Sequence, residues 1–334
     1  MKNKLPSKQK TPWLQQKLEH IWYQGGSGAF LLKPLESIYR LLAFLDKRSS
    51  LAKQIVHSVP VIVVGNISVG GTGKTPLVIY VAKLLQEAGY KPGIVTRGYG
   101  GKTTDWPVLV NPDSNPSDFG DEPVLMAQRS HVPVVAGPDR NADIETILKH
   151  NKVNIIISDD GLQHYRLKRD IEVAVIDGER GLGNQYCLPA GPLREPPVRL
   201  KQCDFVVVNE LFAEAEYSMQ LCADQIHRLN SEYQQPLSQW QGSRVHAVTG
   251  IGNPARFFRM LEQLGLDVIH HAFPDHHAFS FGDIDFADDF PVLMTEKDAV
   301  KCRSFAKDHH WFIPVSASVN KEFTTELLAL IQKI

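Results

Sequence analysis

Cysteine is scarce. The 334 residues hold four, Cys187, Cys203, Cys222 and Cys302, and no C-x-x-C pair. That pattern excludes a disulfide framework and a zinc knuckle, and it points to a reducing compartment. Long apolar runs are also missing: no stretch approaches the ~20 residues that cross a bilayer. The Lys-rich start lacks the apolar centre and small-residue cleavage site of a signal peptide. Net charge is nearly absent at −1, which argues against a nucleic-acid binder. There is no internal repeat or low-complexity tract, and nothing in the chain calls for an obligate protein partner.

The neutrality hides an asymmetry. Residues 1–60 carry ten Lys/Arg against three Asp/Glu, a net of +7, and the remainder carries −8. A basic, apolar arm on a mildly acidic body suits an anionic membrane surface or a polyanionic partner. Past a polar start at 1–12, which is expected to fray, Leu14, Leu18, Ile21 and Trp22 recur on one face of a helix. Gly25-Gly26-Ser27-Gly28 interrupts the pattern, and Leu35, Ile38, Leu42 and Leu45 mark a second helix. Trp13, Trp22 and Tyr23 among lysines fit an interfacial pair. The plainer alternative packs both helices on the core, and one helix can dock while the other meets lipid.

The segment Val61-Ile-Val-Val-Gly65-Asn66-Ile-Ser68-Val69-Gly70-Gly71-Thr72-Gly73-Lys74-Thr75-Pro76 reads as a buried strand, a glycine-rich turn and Gly-Lys-Thr. Glycines let backbone N–H groups close around phosphate oxygens where a helix begins. Ser68, Val69, Gly70, Gly71, Thr72, Gly73, Lys74 and Thr75 are therefore the candidate nucleotide-binding residues. Lys74 would reach the β- and γ-phosphates and Thr75 would hold Mg²⁺. Ser68 departs from the general pattern G-x-x-x-x-G-K-[ST], which places glycine there. An ordinary strand-to-helix turn is the bland alternative.

From Val61 onward strands and helices alternate. The pattern predicts a helix over Leu77–Ala88 and strands at Pro92–Arg97, Val132–Ala136, Val153–Ser158, Val173–Asp177 and Phe205–Asn209. A second series follows: Val245–Thr249, helix Ala255–Leu264, Pro291–Met294, Phe312–Val315 and a closing helix Glu322–Ile331. The expected fold class is α/β, a P-loop NTPase-like, mostly parallel sheet with helices on both faces. The expected division is amphipathic helices at 1–60, a nucleotide-binding core at 61–240, and a smaller α/β lobe at 241–334 that closes the cleft.

Several groups bear chemistry. The strand Asn154–Ser158 ends in Asp159-Asp160-Gly161, and carboxylates at a strand end beside a phosphate loop suit Mg²⁺. The alternative is a turn or cap. Asp121, in Gly120-Asp121-Glu122-Pro123, reads equally as a helix cap and as a base that takes a hydroxyl proton. In Asp275-His276-His277, an Asp–His pair that orients a catalytic group is more plausible than a metal site. Arg97 and Arg194 sit in loops, where a bidentate donor meets phosphate or a surface turn exposes it. Thr295-Glu296-Lys297-Asp298 resembles a guanine-reading element, but its lysine is one place late.

Taken in order, these blocks resemble the tetraacyldisaccharide 4′-kinases of lipid A synthesis. The carriers are the phosphate loop, Thr96-Arg97-Gly98-Tyr99, Gly120-Asp121-Glu122-Pro123, Asp159-Asp160-Gly161-Leu162-Gln163-His164, Gly191-Pro192-Leu193-Arg194-Glu195-Pro196, Gly250-Ile251-Gly252-Asn253-Pro254, Asp275-His276-His277 and Thr295–Asp298. Residues 1–12 and Glu210–Gly242 match nothing in the family pattern. The resemblance implies ATP- and Mg²⁺-dependent phosphorylation of the 4′-hydroxyl of a tetraacylated glucosamine disaccharide 1-phosphate. It implies a peripheral enzyme on the cytoplasmic face of the bacterial inner membrane, held by its amino-terminal helices. It also implies two α/β lobes around the site, Asp121 as the base and His276 as its support. Gln163, His164, Arg97 and Arg194 become candidate substrate or phosphate contacts. Two rivals compete: a partitioning-type ATPase, which would carry lysine where Val69 stands, and a kinase for a soluble sugar or nucleoside.

Overall fold

The computed structural model describes residues 13–25, 28–209 and 215–334. The polar start 1–12, Gly26 and Ser27 of the interruption, and the side chains of Trp13 and Leu14 lie outside the described residues. Helices α1 (Trp13–Tyr23) and α2 (Gly28–Leu51) lead into β1 (Val61–Gly65), α3 (Lys74–Glu87), β2 (Pro92–Thr96), β3 (Val108–Val110) and α4 (Pro116–Phe119). Next come α5 (Asp121–Ser130), β4 (Val134–Ala136), α6 (Arg140–His150), β5 (Ile155–Asp159), β6 (Ile171–Asp177), β7 (Phe205–Asn209) and β8 (Tyr217–Cys222). The second lobe holds β9 (Gln225–Arg228), β10 (Gln234–Pro236), β11 (Arg244–Thr249), α7 (Pro254–Gln263), β12 (Asp267–Ala272), α8 (Phe281–Ile284), β13 (Val292–Thr295), α9 (Glu296–Cys302) and β14 (His310–Ile313). The chain ends with β15 (Ser316–Val319) and α10 (Lys321–Ile331).

The first sheet has the order β15-β8-β7-β6-β1-β5-β2-β4-β3, parallel from β8 to β4 and antiparallel at both edges. Its central strands β1, β5, β2 and β4 are buried on both faces, as parallel sheets are. Along β1, Ile62 and Val64 face one core with α3, α5 and α10, while Val61 and Val63 face a second core with α6. The smaller sheet runs β10-β9-β14-β13-β11-β12 and is parallel from β14 to β12. Phe257, Phe258 and Leu261 of α7 cover one of its faces, and Ala299 and Cys302 of α9 the other.

Sheet membership departs from the 61–240 and 241–334 division expected from the sequence. β9 and β10, residues 225–236, already belong to the second sheet. β15 returns to pair with β8, and Phe323, Leu327 and Ile331 of α10 pack in the first core. The closing helix therefore completes the first lobe, because Phe323 on its apolar stripe finds Phe205 and Tyr217 there.

Helix α2 carries its apolar stripe outward. Leu31 (78% exposed), Leu35, Ile38, Leu42 and Leu45 face away from the protein, flanked by Phe30, Leu41 and Phe44. The inward face is Ala29, the buried Glu36, and the half-buried Tyr39 and Lys47. Among the described residues no helix is long and apolar enough to cross a membrane.

Candidate active site

Parallel pairing sets the first half of the site. β1 and β5 are neighbours, with Val64 opposite Asp159, so the turn after β1 and the carboxylates after β5 emerge side by side. Such crevices beyond the carboxyl ends of parallel strands are where α/β folds bind ligands. Ser68 forms an antiparallel bridge with Leu193, an extended backbone that any residue adopts. That explains why serine stands where the general pattern has glycine. Gly73, by contrast, caps α3 at φ 90°, and a Cβ there would lie 2.3 Å from the Asn209 amide nitrogen. Asn209 in turn donates to the Thr72 carbonyl at 2.9 Å and holds the loop from behind.

Lys74 rests 3.3 Å from Asp160, which Arg194 also grips at 3.2 Å. Burial alone would raise the Asp160 pKa, but Lys74 and Arg194 hold it below the usual carboxylate range. Asp159 is the opposite case. One oxygen accepts from Thr96 Oγ1 at 2.9 Å, while Oδ1 is buried and has no hydrogen-bond partner among the described residues. Burial first, then Glu122 and Asp160, push its pKa well up. Gln163 donates to the Asn66 carbonyl and to Glu195, and accepts from Arg194, so its amide is engaged within the protein. His164 is held neutral near a pKa of about 4, by burial and then by Arg140. Arg97 lies exposed at the end of β2, and Thr75 is the second residue of α3.

The second half joins the two lobes, with Asp121 from the first and His276 from the second. Asp121 opens α5, is 4% exposed, and accepts from the Glu122 backbone N–H at 2.9 Å. His276, from the loop after β12, places Nδ1 3.1 Å from Asp121 Oδ1. His277 instead turns toward Asp283 and Phe273. Burial would raise the Asp121 pKa, yet the bond from His276 and the charges of Lys297 and Lys301 hold it at about 2. Burial would lower His276, and its bond to Asp121 raises it. Two of the four described non-glycine residues with positive φ are Asp160 (48°) and His276 (57°). Backbone strain of this kind persists where surrounding contacts over-determine it.

The guanine-like element serves as a clasp between the lobes. Thr295 caps α9, Glu296 meets Arg129 of α5 at 2.6 Å, and Lys297 meets Glu122 at 2.9 Å and Asp275 at 3.3 Å. A Cβ on Gly252 would come within 3.2 Å of the Gly71 N–H, so the second lobe also reaches the phosphate loop. Residues 28–332 match the family model described as tetraacyldisaccharide-1-P 4′-kinase.

The chain belongs to the tetraacyldisaccharide 4′-kinase family.

Members named tetraacyldisaccharide 4′-kinase share 45% identity over 316 residues in Nitrosococcus oceani, covering 93% of each chain, and 47% over 323 residues in Methylobacillus flagellatus, covering 95% of this chain and 96% of that one. The solved LpxK from Aquifex aeolicus, described as an "apo" form in complex with ATP, superposes with a TM-score of 0.73 at 28% identity. That match covers 91% of this chain and 98% of that one. The match supports the α/β, P-loop-like architecture of this kinase family.

Sequence reasoning missed two residues beside these groups. Arg140 is 1% exposed and donates to the Gly137 carbonyl at 2.8 Å and the Asp159 carbonyl at 3.0 Å, bracing the end of β5. Its neighbour Asp139 reads as a helix cap, and that masks a buried cation. Lys301, 3.5 Å from Asp121 and 2.9 Å from Asp298, stands one helical turn beyond Lys297. That spacing was the available signal.

Proposed function

We propose that this chain transfers the γ-phosphoryl group of ATP to the 4′-hydroxyl of tetraacyldisaccharide 1-phosphate, a lipid A precursor. The observation that carries the reading is the Asp121–His276 pair, one residue from each lobe, whose neighbour Glu122 stands close enough to Asp159 to raise its pKa. A soluble-acceptor kinase would leave the outward apolar stripe of α2 without a role, and a nucleotide switch would leave the Asp121–His276 pair idle.

Backbone N–H groups of Ser68–Thr75 cradle the triphosphate, and Lys74 leaves Asp160 for the β- and γ-oxygens when nucleotide enters. The residues present fit Mg²⁺: the orphaned Asp159 Oδ1 adjoins Asp160, and this cation takes one or two carboxylates with phosphate oxygens and water. Thr75, Asp159 and Asp160 would hold it. When bound, the ion offsets charge on the transferring phosphoryl group. Asp121 is a carboxylate at any working pH and accepts the sugar hydroxyl's proton. His276 donates Nδ1–H to Asp121, and its Nε2 faces Lys297 at 3.4 Å. Catalysis is mostly positioning and electrostatics.

The acyl chains stay in the bilayer, since each buried CH₂ contributes ~0.8 kcal/mol. The enzyme therefore comes to the lipid, and α2 lies in the interface at the cytoplasmic face of the inner membrane, as a peripheral contact. The test is transfer of label from γ-labelled ATP to purified tetraacyldisaccharide 1-phosphate. Wild type is expected to label the acceptor, and Lys74→Ala and Asp121→Ala to lose about 10²–10⁴-fold in turnover, with Asp121→Ala keeping its nucleotide affinity. A wild-type enzyme that consumes ATP without labelling the lipid sinks the reading.

A further inference from the structure

The segment 184–195 is held from two sides. On one side it runs beside the phosphate loop. The Arg194 N–H donates to the Ile67 carbonyl at 2.6 Å, the Val69 N–H donates to the Pro192 carbonyl at 2.8 Å, and Leu193 bridges Ser68. On the other side the amino-terminal helices reach it with polar groups. Trp22 Nε1 donates to the Pro189 carbonyl at 3.0 Å, and buried Glu36 accepts the Cys187 N–H at 3.0 Å. Tyr39 Oη donates to the Arg194 carbonyl at 2.9 Å. These tethers explain why α2 turns its polar face inward and leaves its apolar stripe outside.

Arg194 is thus pinned at both ends of its peptide unit, by Ile67 at the N–H and by Tyr39 at the carbonyl. Its guanidinium then spans Asp160 Oδ2 at 3.2 Å and Gln163 Oε1 at 3.3 Å. Asp160 is also the partner of Lys74. One hydroxyl on α2 therefore sits three contacts away from the phosphate-loop lysine. Small displacements matter at this range, because phosphoryl transfer depends on alignment.

We propose that Tyr39 is a positioning residue for phosphoryl transfer, acting through the Arg194 carbonyl to aim the guanidinium that braces Asp160. The inference rests on the reading of Arg194 and Asp160 as parts of the kinase site. It places control of the chemistry on the inward face of the helix whose outward face meets lipid.

A double-mutant cycle on the full-length enzyme tests it. Tyr39→Phe removes only the hydroxyl and keeps the ring. One neutral hydrogen bond is worth about 0.5–1.5 kcal/mol, so kcat should fall about 3- to 10-fold. The KM for ATP and sedimentation with anionic phospholipid vesicles should stay at wild-type values. In an Arg194→Ala background the same substitution should cost nothing further, because the group it aims is gone. Tyr39→Phe at wild-type kcat, or a loss that simply adds to that of Arg194→Ala, overturns the inference alone. Arg194→Ala at wild-type turnover overturns it together with the reading of Arg194 beneath it. Should Tyr39→Phe not fold, Tyr39→Leu, which also removes the hydroxyl, takes its place in the same cycle with the same expectations.

Discussion

Asp159 and Asp121 are both buried carboxylates, and their surroundings drive them apart. Asp121 has cations on several sides, while Asp159 has a threonine hydroxyl on one oxygen and carboxylates nearby. Divergent environments of this kind separate the roles of two acids within one site. For Asp159 the folded-state pKa lies above its ordinary 3.8, so the unfolded chain loses that proton first. Stability therefore falls as pH rises between 3.8 and the raised value. Asp159→Asn should stabilise the nucleotide-free protein at pH 8 by about 1–3 kcal/mol while abolishing Mg²⁺-dependent transfer. Urea unfolding with and without Mg²⁺-ATP reads both effects, and a destabilised variant would contradict the assignment. Asp121 and His276, by contrast, stabilise the fold when both are charged. Depressed to about 2, Asp121 contributes stability above its ordinary 3.8 and loses it as pH falls through about 2. The raised His276 contributes fully below 6.5 and loses its share as pH rises through its folded-state value. His276→Ala should therefore cost about 1–3 kcal/mol at pH 5–6 and visibly less at pH 9, read from unfolding curves across pH. A cost independent of pH would mean that the ring acts only by packing.

At the scale of elements, α2 is where sequence and structure diverge most usefully. Its periodicity marked a stripe at Leu35, Ile38, Leu42 and Leu45, but a period does not say which way a stripe points. Direction is set by the tethers at Glu36 and Tyr39, which bond residues about 150 positions away. Ile38→Glu with Leu42→Glu should weaken sedimentation with anionic vesicles at least tenfold, since each large apolar side chain contributes about 1.5–3 kcal/mol when buried. ATP affinity should not change, because neither residue touches the tethers or the phosphate loop. Loss of ATP binding in this variant would show that the outer face supports the fold instead. β1 and α3 were legible for the opposite reason. Continuous β-branched residues, a glycine turn and Gly-Lys-Thr act locally, and the core forms around them without distant help. Short β3, β8, β9, β10 and β15 carried too little pattern, and their places are settled by long-range pairing. Asp121 and His276 were each visible, and the resemblance paired them, but their spacing along the chain alone could not; the approach of the two lobes brings them to 3.1 Å.

For the whole molecule, the decisive fact is that loops beyond the parallel strands of one sheet meet loops beyond those of the other, as Gly252 after β11 does with Gly71 after β1. Contacts between the lobes run along two fronts: His276 on Asp121, Lys297 on Glu122 and Glu296 on Arg129 at one, and Arg256 on Asn209 with Gly252 beside Gly71 at the other. The charged groups beside the Ser68–Thr75 loop, Lys74, Asp159, Asp160 and Arg194, nevertheless all belong to the first lobe. Nucleotide should thus bind to one lobe, and transfer should require both. Lys297 separates the two steps. Despite burial its ammonium is held strongly protonated, chiefly by Glu122, Asp121 and Asp275. Lys297→Met keeps the length of the side chain and removes the charge that joins Glu122 to the second lobe. The variant should lose about 10- to 100-fold in kcat, the range expected when a buried charged bond is broken. Its dissociation constant for ATP, measured by titration with a fluorescent nucleotide, should stay within about twofold, since no phosphate contact is touched. Equal losses in affinity and kcat would instead place the lysine on the nucleotide, and the lobes would then act as one binding surface with no separate closure for the acceptor.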